Sequence, residues 1–338
     1  MTFQAKIPTD NLFVHQVSRP QGEPLPEHFR FVQQPLAPLA EGLALIENIH
    51  LSVDPYMREC MDGDWALNQP LEGRALGRVI QSNTPALKVG DWVHHRQGWR
   101  TYSQVTPEET TVLPSEPGVP FTHWLSVLGG TGLTAWVALT KIVRLQPGES
   151  LYISAAAGGV GSVAGQFAAL LGAKRIIGST RNADKARILT ERLGFTDAFI
   201  YQTGQVSKQL QDIAPEGIDI YLDNVGGEQL EAAINALKDH GRAALIGAIA
   251  QYNHLENPPA APYNLFELVG KSLTLQGFMV RDYRHLQAEL EAFAIPYIQR
   301  GELVVEETIT NGFEHIVTAF LSMLKGGNLG KAIVTIGK

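Results

Sequence analysis

Three observations predict an α/β chain made of a parallel-sheet domain and a strand-rich domain. From Glu149 onward, apolar runs alternate with helical stretches. A glycine-rich turn, Ser154-Ala-Ala-Ala-Gly-Gly-Val-Gly-Ser162, joins the first of those runs to the first helical stretch. Residues 1 to about 120 instead carry short β-like runs between Gly and Pro clusters. Strands separated by helical patterns of roughly 10–15 residues build βαβ units and a parallel sheet, whereas short runs punctuated by Gly and Pro build β-rich domains. A chain of 338 residues is long enough for two domains at roughly 100–200 residues each.

In chain order, Leu43–Val53 reads as a long strand. Arg78–Gln81, Asp91–His95, Trp99–Val105 and Thr110–Leu113 read as short ones, which makes residues 1–124 a barrel-like domain. Residues 125–302 form the α/β domain. Its strands are Leu151–Ile153, Arg175–Gly178, Ala198–Tyr201, Ile218–Leu222 and Arg242–Ile246, with Leu273–Phe278 as the last apolar strand. Its helices are Val160–Leu171, Ala183–Leu193 and one starting at Glu228. Residues 303–338 return to short strands, ending at Ala332–Ile336, and rejoin the first domain.

Composition removes several functions. The net charge of −7 disfavours a sequence-independent nucleic-acid or anionic-membrane binder, since those surfaces need clustered positive charge. A single cysteine, Cys60, excludes an intrachain disulfide framework and a Cys-rich zinc site. Pro117–Thr140 and Ser150–Ala173 lack formal charge and are long enough to span a bilayer, but Gly, Ser, Thr, His and Gln break them. They read as buried strand–turn–helix segments. With no basic, apolar leader at the start, the expected location is the cytoplasm.

The glycine turn follows an apolar strand and opens an apolar helix, the context of a dinucleotide fingerprint. Gly158 and Gly161 keep the x-x-G-x-x-G spacing, with Ala155 where the first glycine usually stands. Glycines permit the tight turn and let the backbone approach a pyrophosphate, while the helix start offers N–H groups and a positive dipole end. The competing reading is a turn that only packs a helix on a sheet. Together with the βαβ pattern, the turn predicts a Rossmann doubly wound sheet that binds a dinucleotide. An NAD enzyme usually places an acid on the ribose about 20 residues further on. Here that zone is Gly178-Ser-Thr-Arg-Asn-Ala-Asp-Lys185, with no acid at the strand tip. Arg181 and Lys185 are suited to a 2′-phosphate, which favours NADPH; the alternative makes both solvated helix-start charges, and Asp184 counts against the phosphate reading.

Some chemistries are missing. No Tyr-x-x-x-Lys and no His-Glu-x-x-His occurs. Where a zinc alcohol dehydrogenase carries an early Cys and a Gly-His-Glu, this chain has Leu51-Ser-Val-Asp-Pro55 and Glu72-Gly-Arg-Ala-Leu-Gly77. Without those ligands no metal is expected, and substrate polarisation falls to other groups. That favours reduction of a conjugated C=C bond, where an enolate carries the developing charge, over alcohol oxidation.

Several strings resemble one family. They are Leu51-Ser-Val-Asp-Pro-Tyr-Met-Arg58, Val89-Gly-Asp-Trp-Val93, Gly132-Leu-Thr-Ala135, Ala155–Ser162, Leu222-Asp-Asn-Val-Gly-Gly227, Ala250-Gln-Tyr-Asn253, Gln276-Gly-Phe278 and Gly326-Gly-Asn-Leu-Gly-Lys331. They run through most of the chain, and they resemble the zinc-independent medium-chain dehydrogenases/reductases of the leukotriene/prostaglandin, alkenal double-bond and curcumin reductase branch. The resemblance implies that the β-rich domain is GroES-like and that the activity is NADPH-dependent reduction of enals and enones. It also implies a homodimer formed by edge pairing, for which Leu273–Phe278 is the candidate edge. An NADPH quinone oxidoreductase and a non-catalytic NADPH-binding sensor are the alternatives.

The resemblance also assigns residues. Gly158, Gly159, Val160 and Gly161 would hold the pyrophosphate, and Lys185 and Tyr201 the 2′-phosphate end. Asn224 and the Ile246–Tyr252 stretch, with Gly247 and Ile249, would line the cofactor; Phe278 and Val280 would meet its carboxamide, and Asn328 would contact it from the C-terminal segment. Tyr252 and Tyr56 would be the catalytic phenols. The alternatives are a loop tyrosine packed on Pro258 and Pro259 for Tyr252, a satisfied core tyrosine for Tyr56, and a turn former for Asn328. Departures from the family pattern are Arg58-Glu-Cys-Met61 for Arg-Gly-Arg-Met, Gly129-Gly-Thr-Gly132 for Gly-Met-Pro-Gly, and Ile200-Tyr-Gln202 for Asn-Tyr-Lys. Cys60 reads as structural, since nothing nearby lowers its pKa.

Overall fold

The computed structural model describes residues 7–253 and 262–336. The chain divides into two compact units, Ser126–Glu306 with Leu329–Lys331, and Met1–Leu125 with Glu307–Asn328 and Ala332–Lys338.

The first of these carries a six-stranded sheet: β1 (Ser150–Ile153), β2 (Arg175–Thr180), β3 (Asp197–Ile200), β4 (Ile218–Asp223), β5 (Leu237–Leu245) and β6 (Thr274–Gly277). Their order across the sheet is β3-β2-β1-β4-β5-β6, and every ladder is parallel. This is the doubly wound dinucleotide order that the sequence predicts. Helices α1 (Gly159–Leu170), α2 (Ala183–Arg192), α3 (Val206–Ile213) and α4 (Gly227–Ala236) alternate with the first five strands. The central strand β1 is buried along its whole length, which explains its unbroken apolar run. Close packing of α1 on the Phe195 ring, from the loop between α2 and β3, explains Gly165, where a Cβ would lie 2.2 Å from that ring.

Two expectations need correction here. The strand read as Arg242–Ile246 begins at Leu237 and includes Lys238, Asp239 and His240, because backbone pairing extends it through a polar stretch with His240 at φ 63°. The helix Gly130–Val137 falls in the Pro117–Thr140 stretch expected as strand–turn–helix, whereas Gln287–Gln299, which holds Pro296, has no counterpart in the sequence reading.

The other unit holds a seven-stranded sheet built around Ala44–Ser52, which pairs antiparallel with Ala75–Ser82, Tyr102–Val105 and Lys331–Thr335. Asp10–Gln16 and Phe29–Pro35 add a two-stranded antiparallel pair. The expected strand Trp99–Val105 is shortened to Tyr102–Val105. Trp99 takes φ 56° and leaves the ladder to become fully buried. Its ring stacks on Phe29 at 6.0 Å and meets Trp65 and Phe320 edge-on, each at 5.7 Å. Aromatic burial thus offsets a left-handed backbone that a bulky residue rarely adopts. The helix Ile316–Leu324, absent from the sequence expectation, supplies Phe320 to this core.

A polar knot sits beside that core. His95 Nδ1 accepts from the Gln97 N–H at 3.1 Å, so its other nitrogen carries the proton and donates to Asn48 Oδ1 at 2.9 Å. Asn48 Nδ2 then donates to the Arg100 carbonyl and to Ser103 Oγ. The ring is satisfied only when neutral, and burial, then the neighbouring His94 and Arg100, push its pKa down to about 3. The unfolded chain protonates His95 near its ordinary 6.5. The folded state therefore loses stability as pH falls from that value toward about 3, by an amount on the order of 5 kcal/mol. NMR titration should show a neutral Nε2–H imidazole at His95 down to pH 4; a ring that charges near pH 6 in the folded protein contradicts this knot.

Candidate cofactor and active site

In a parallel sheet all carboxyl ends lie on one edge. Ladder pairs Ile153–Gly178, Thr180–Ile200, Leu222–Ile153, Asp223–Leu245 and Leu245–Gly277 keep those ends in register. Apart from Asn328, the segments expected to bind the cofactor each follow one of these ends: the glycine turn follows β1, Arg181 and Lys185 follow β2, Tyr201 follows β3, Asn224 follows β4, Ile246–Tyr252 follows β5, and Phe278–Val280 follows β6. Sites in such folds form at this edge.

The turn after β1 is built as the sequence suggests, with one difference. Ala155, where a glycine usually stands, takes φ 47°. Helix α1 starts at Gly159 with Gly158 as its N-cap and no side-chain cap. Its first-turn N–H groups and dipole are therefore presented without a competing protein oxygen from a capping side chain. At Gly161 a Cβ would stand 2.6 Å from the Ala155 carbonyl, which only glycine avoids. At Gly159 a Cβ would stand 3.0 Å from Thr131 Cγ2. The Gly330 N–H donates to the Ala157 carbonyl at 2.8 Å, clasping the turn from outside.

Behind the edge lies a buried carboxylate that sequence reasoning quoted but did not assign. Asp223 is 2% exposed. Its Oδ1 accepts from Tyr221 Oη at 2.7 Å, from the Gly226 N–H at 2.8 Å and from the Val225 N–H at 3.0 Å. Ser154 Oγ lies 3.4 Å away and accepts from the Asn224 N–H at 2.9 Å, while Asn224 Nδ2 donates to the Ser154 carbonyl at 2.8 Å. The Asp223 carbonyl takes the N–H groups of Ile246 and Gly247. Asp223 thus ties the turn after β4 to the start of the loop that carries Tyr252, while the Ser154 carbonyl holds the Asn224 side chain. Burial raises the Asp223 pKa, and the Gly226 and Val225 N–H bonds oppose the rise.

Tyr252 is half-buried, and its hydroxyl reaches the Gly247 backbone, where a Cβ would lie 3.2 Å from it. Pro258 and Pro259, its alternative packing partners, lie outside the described residues. Arg181 and Lys185 are close enough to interact, since burial and then the Arg181 charge hold the Lys185 ammonium below its ordinary pKa. Asn182 caps α2 by accepting from the Lys185 N–H at 3.0 Å. Tyr201 opens a short 3-10 turn and packs on the Tyr152–Phe199 cluster. Phe278 meets the Tyr283 ring edge-on at 6.0 Å, and Val280 opens the next 3-10 segment.

Tyr56 and Asn328 belong to the other unit. Tyr56 opens the short helix Tyr56–Cys60, and its buried hydroxyl has no hydrogen-bond partner. The satisfied core tyrosine is therefore not what the structure contains. Burial, then the Asp54 charge, push the phenol upward, and Arg74, 5.4 Å over the ring and 3.5 Å from Asp54, opposes them. Asn328, between Gly327 and Leu329, is half-buried. The Cys60 thiol is pushed up to about 12, chiefly by burial, and is no nucleophile. Among the described residues no group of three or more His, Cys, Asp and Glu could hold a metal ion. No helix among them is long and apolar enough to cross a membrane.

Fold and edge together define a two-unit chain whose parallel sheet is of the dinucleotide-binding kind. Residues 14–113 match a family model described as the N-terminal domain of oxidoreductase, and residues 159–299 one described as zinc-binding dehydrogenase. A tobacco (Nicotiana tabacum) protein named 2-alkenal reductase (NADP(+)-dependent) is 36% identical over 302 residues, 87% of each chain. The NADPH-dependent curcumin reductase of Escherichia coli is 34% identical, covering 94% of this chain and 95% of its own. The crystal structure of CurA from Vibrio vulnificus in complex with NADPH superposes with a TM-score of 0.91 at 31% identity, covering 97% of this chain and 99% of the other. The chain belongs to the zinc-independent branch of the medium-chain dehydrogenase/reductase family. The zinc in one model's description does not fit the donor set here, where Asp54 and Arg74 stand in the segments that zinc enzymes use for ligands.

Ala155 gives a direct check on the turn. A left-handed alanine is strained where glycine is not. Ala155→Gly should leave stability unchanged or raise it by up to about 1 kcal/mol, and Ala155→Val should lower it by about 2 kcal/mol or more. A loss above about 1 kcal/mol for the glycine variant in chemical denaturation contradicts the assignment.

Proposed function

We propose that this protein is an NADPH-dependent reductase of the conjugated C=C bond in α,β-unsaturated aldehydes and ketones. One observation carries the cofactor half: the carboxyl edge of a β3-β2-β1-β4-β5-β6 sheet has an uncapped glycine-turn helix after β1 and two cations, with no acid at the strand tip, after β2. The names of the tobacco and Escherichia coli relatives support both the cofactor and the substrate class.

On this reading the first-turn backbone of α1, Gly158–Gly161, binds the pyrophosphate. Arg181, Lys185 and Tyr201 hold the 2′-phosphate. Asn224, Gly247, Ile249, Phe278, Val280 and Asn328 hold the rest of the dinucleotide. When bound, the nicotinamide supplies a hydride to the substrate β-carbon. Negative charge then develops on the carbonyl oxygen, where a hydrogen-bond donor can take it. The Tyr252 phenol, on the loop after β5, fills that role and stabilises the enolate. A proton, from Tyr252 or solvent, completes the reduction at the α-carbon. Tyr56, whose buried hydroxyl has no partner, is the second phenol proposed for the substrate.

Steady-state NADPH oxidation over trans-2-alkenals, enones and quinones tests the reading. Enals and enones should turn over, and reduction of quinones alone would favour the quinone oxidoreductase alternative. Tyr252→Phe should lose roughly tenfold to a hundredfold in kcat on a good enone, less than a full donor loss because the cofactor's own hydroxyl and amide partly substitute. Wild-type kcat in that variant removes Tyr252 from the chemistry.

The same reading gives a cytoplasmic homodimer. The single cysteine fits a reducing compartment. β6 lies at the end of the sheet order, with Tyr263, Phe266 and Val269 exposed in the segment before it. Exposed strand edges invite pairing. Light scattering at micromolar concentration should report twice the chain mass; the mass of one chain contradicts the pairing.

A further inference from the structure

The last ladder pair between β2 and β3 joins Thr180 to Ile200. The residues that follow, Arg181 on one strand and Tyr201-Gln202 on the other, therefore leave the sheet side by side. With its amide turned to satisfy both groups, Gln202 accepts from Arg181 Nε at 2.9 Å and donates to the Arg181 carbonyl at 3.2 Å. Both ends of one side chain thus engage one residue, gripping its backbone and its guanidinium together.

The choice of atoms matters. A bond to Nε sets the plane of the guanidinium, yet Gln202 uses neither of the terminal nitrogens, which form the fork that grips a phosphate in bidentate fashion. Gln202 is also neutral. A carboxylate at the same place would hold Arg181 equally well and cancel its charge. An amide holds the cation without adding a negative charge beside it. Lys185 stands one helical turn further along, at the start of α2. A long, flexible arginine loses rotamer entropy when it binds an anion, and a residue that orders it beforehand removes part of that cost.

We propose that Gln202 is a positioning residue that sets the preference for a 2′-phosphorylated dinucleotide by holding the Arg181 guanidinium at the β2 tip. This rests on the cofactor reading above and deepens it: discrimination between the two nicotinamide dinucleotides depends on a neutral side chain that acts through Arg181.

The test is fluorescence titration with NADPH and with NADH of the wild type, Gln202→Ala, Arg181→Ala, the double variant and Gln202→Glu. Gln202 is exposed, and the unfolding midpoint of each variant verifies that it is folded. The wild type should bind NADPH at least about tenfold tighter than NADH. Gln202→Ala should cut that ratio by roughly threefold to tenfold, through NADPH alone, and should have no further effect once Arg181 is alanine. Gln202→Glu should cut the ratio more than Gln202→Ala, since it sets a negative charge beside the phosphate. An unchanged ratio in Gln202→Ala, or an equal drop with and without Arg181, overturns the positioning role while leaving NADPH as the cofactor. Equal wild-type affinities for the two dinucleotides overturn the cofactor reading itself, and the positioning role with it.

Discussion

The candidate site depends on one buried carboxylate. Asp223 sits at the end of β4, and nearly every segment that turns out of the sheet near the centre is tied to it. A charged or strongly polar group buried to this degree persists only when its lone pairs are occupied. Here the occupants are the backbone of the next turn, a phenol and, at longer range, a serine hydroxyl. Beside them the Ser154 carbonyl holds the Asn224 side chain, and the loop after β5 folds back along residues 223–225, where Ile246 and Gly247 donate to the Asp223 carbonyl and Ile249 and Ala250 to those of Asn224 and Val225. The Tyr252 phenol is carried on that loop. A polar network of this kind specifies one arrangement, because any other leaves a buried acceptor unmatched.

Around this hub the two strand tips on the other side of β1 are organised by a separate knot. Tyr152 Oη donates to Ser179 Oγ at 2.9 Å and lies against Gln229 Oε1, tying β1, β2 and α4 together beneath the tips. Tyr152 and Tyr221 stack at 5.0 Å, joining the two networks. The edge is therefore rigid underneath and polar on top. That suits a ligand that must be held at several points at once, since preorganised groups lose little entropy on binding. A conjugated carbonyl suits them, because the hydride arrives at carbon while the charge is spread over an enolate.

The sheet was legible because its signals are local and redundant. Leu151–Ile153, Arg175–Gly178 and Ile218–Leu222 show as largely apolar runs bounded by Gly, Ser or a charge. The glycine turn and Asn224 were found from strings alone, since close approach and tight turns dictate residue type. What stayed hidden depends on tertiary context. Trp99 reads as a strand residue and leaves the strand because burial against Phe29, Trp65 and Phe320 outweighs local preference. Helix Gln287–Gln299 carries an internal proline that argues against it locally. Asp223 stood in a quoted string, but its partners are spread over residues 154–226 and appear only when the strands align. Gln202 was visible as a departure from Asn-Tyr-Lys; that it faces Arg181 follows from the register of β2 with β3, which no string encodes.

The central claim is chemical: the reduction takes place at the carbon–carbon double bond and leaves the carbonyl intact. NADPH carrying deuterium at the transferable position of nicotinamide C4, incubated with the protein and a trans-2-enone, tests it most directly. The account predicts a saturated ketone with deuterium on the β-carbon and hydrogen from solvent on the α-carbon, read by NMR. Deuterium on the carbonyl carbon of an allylic alcohol would contradict it.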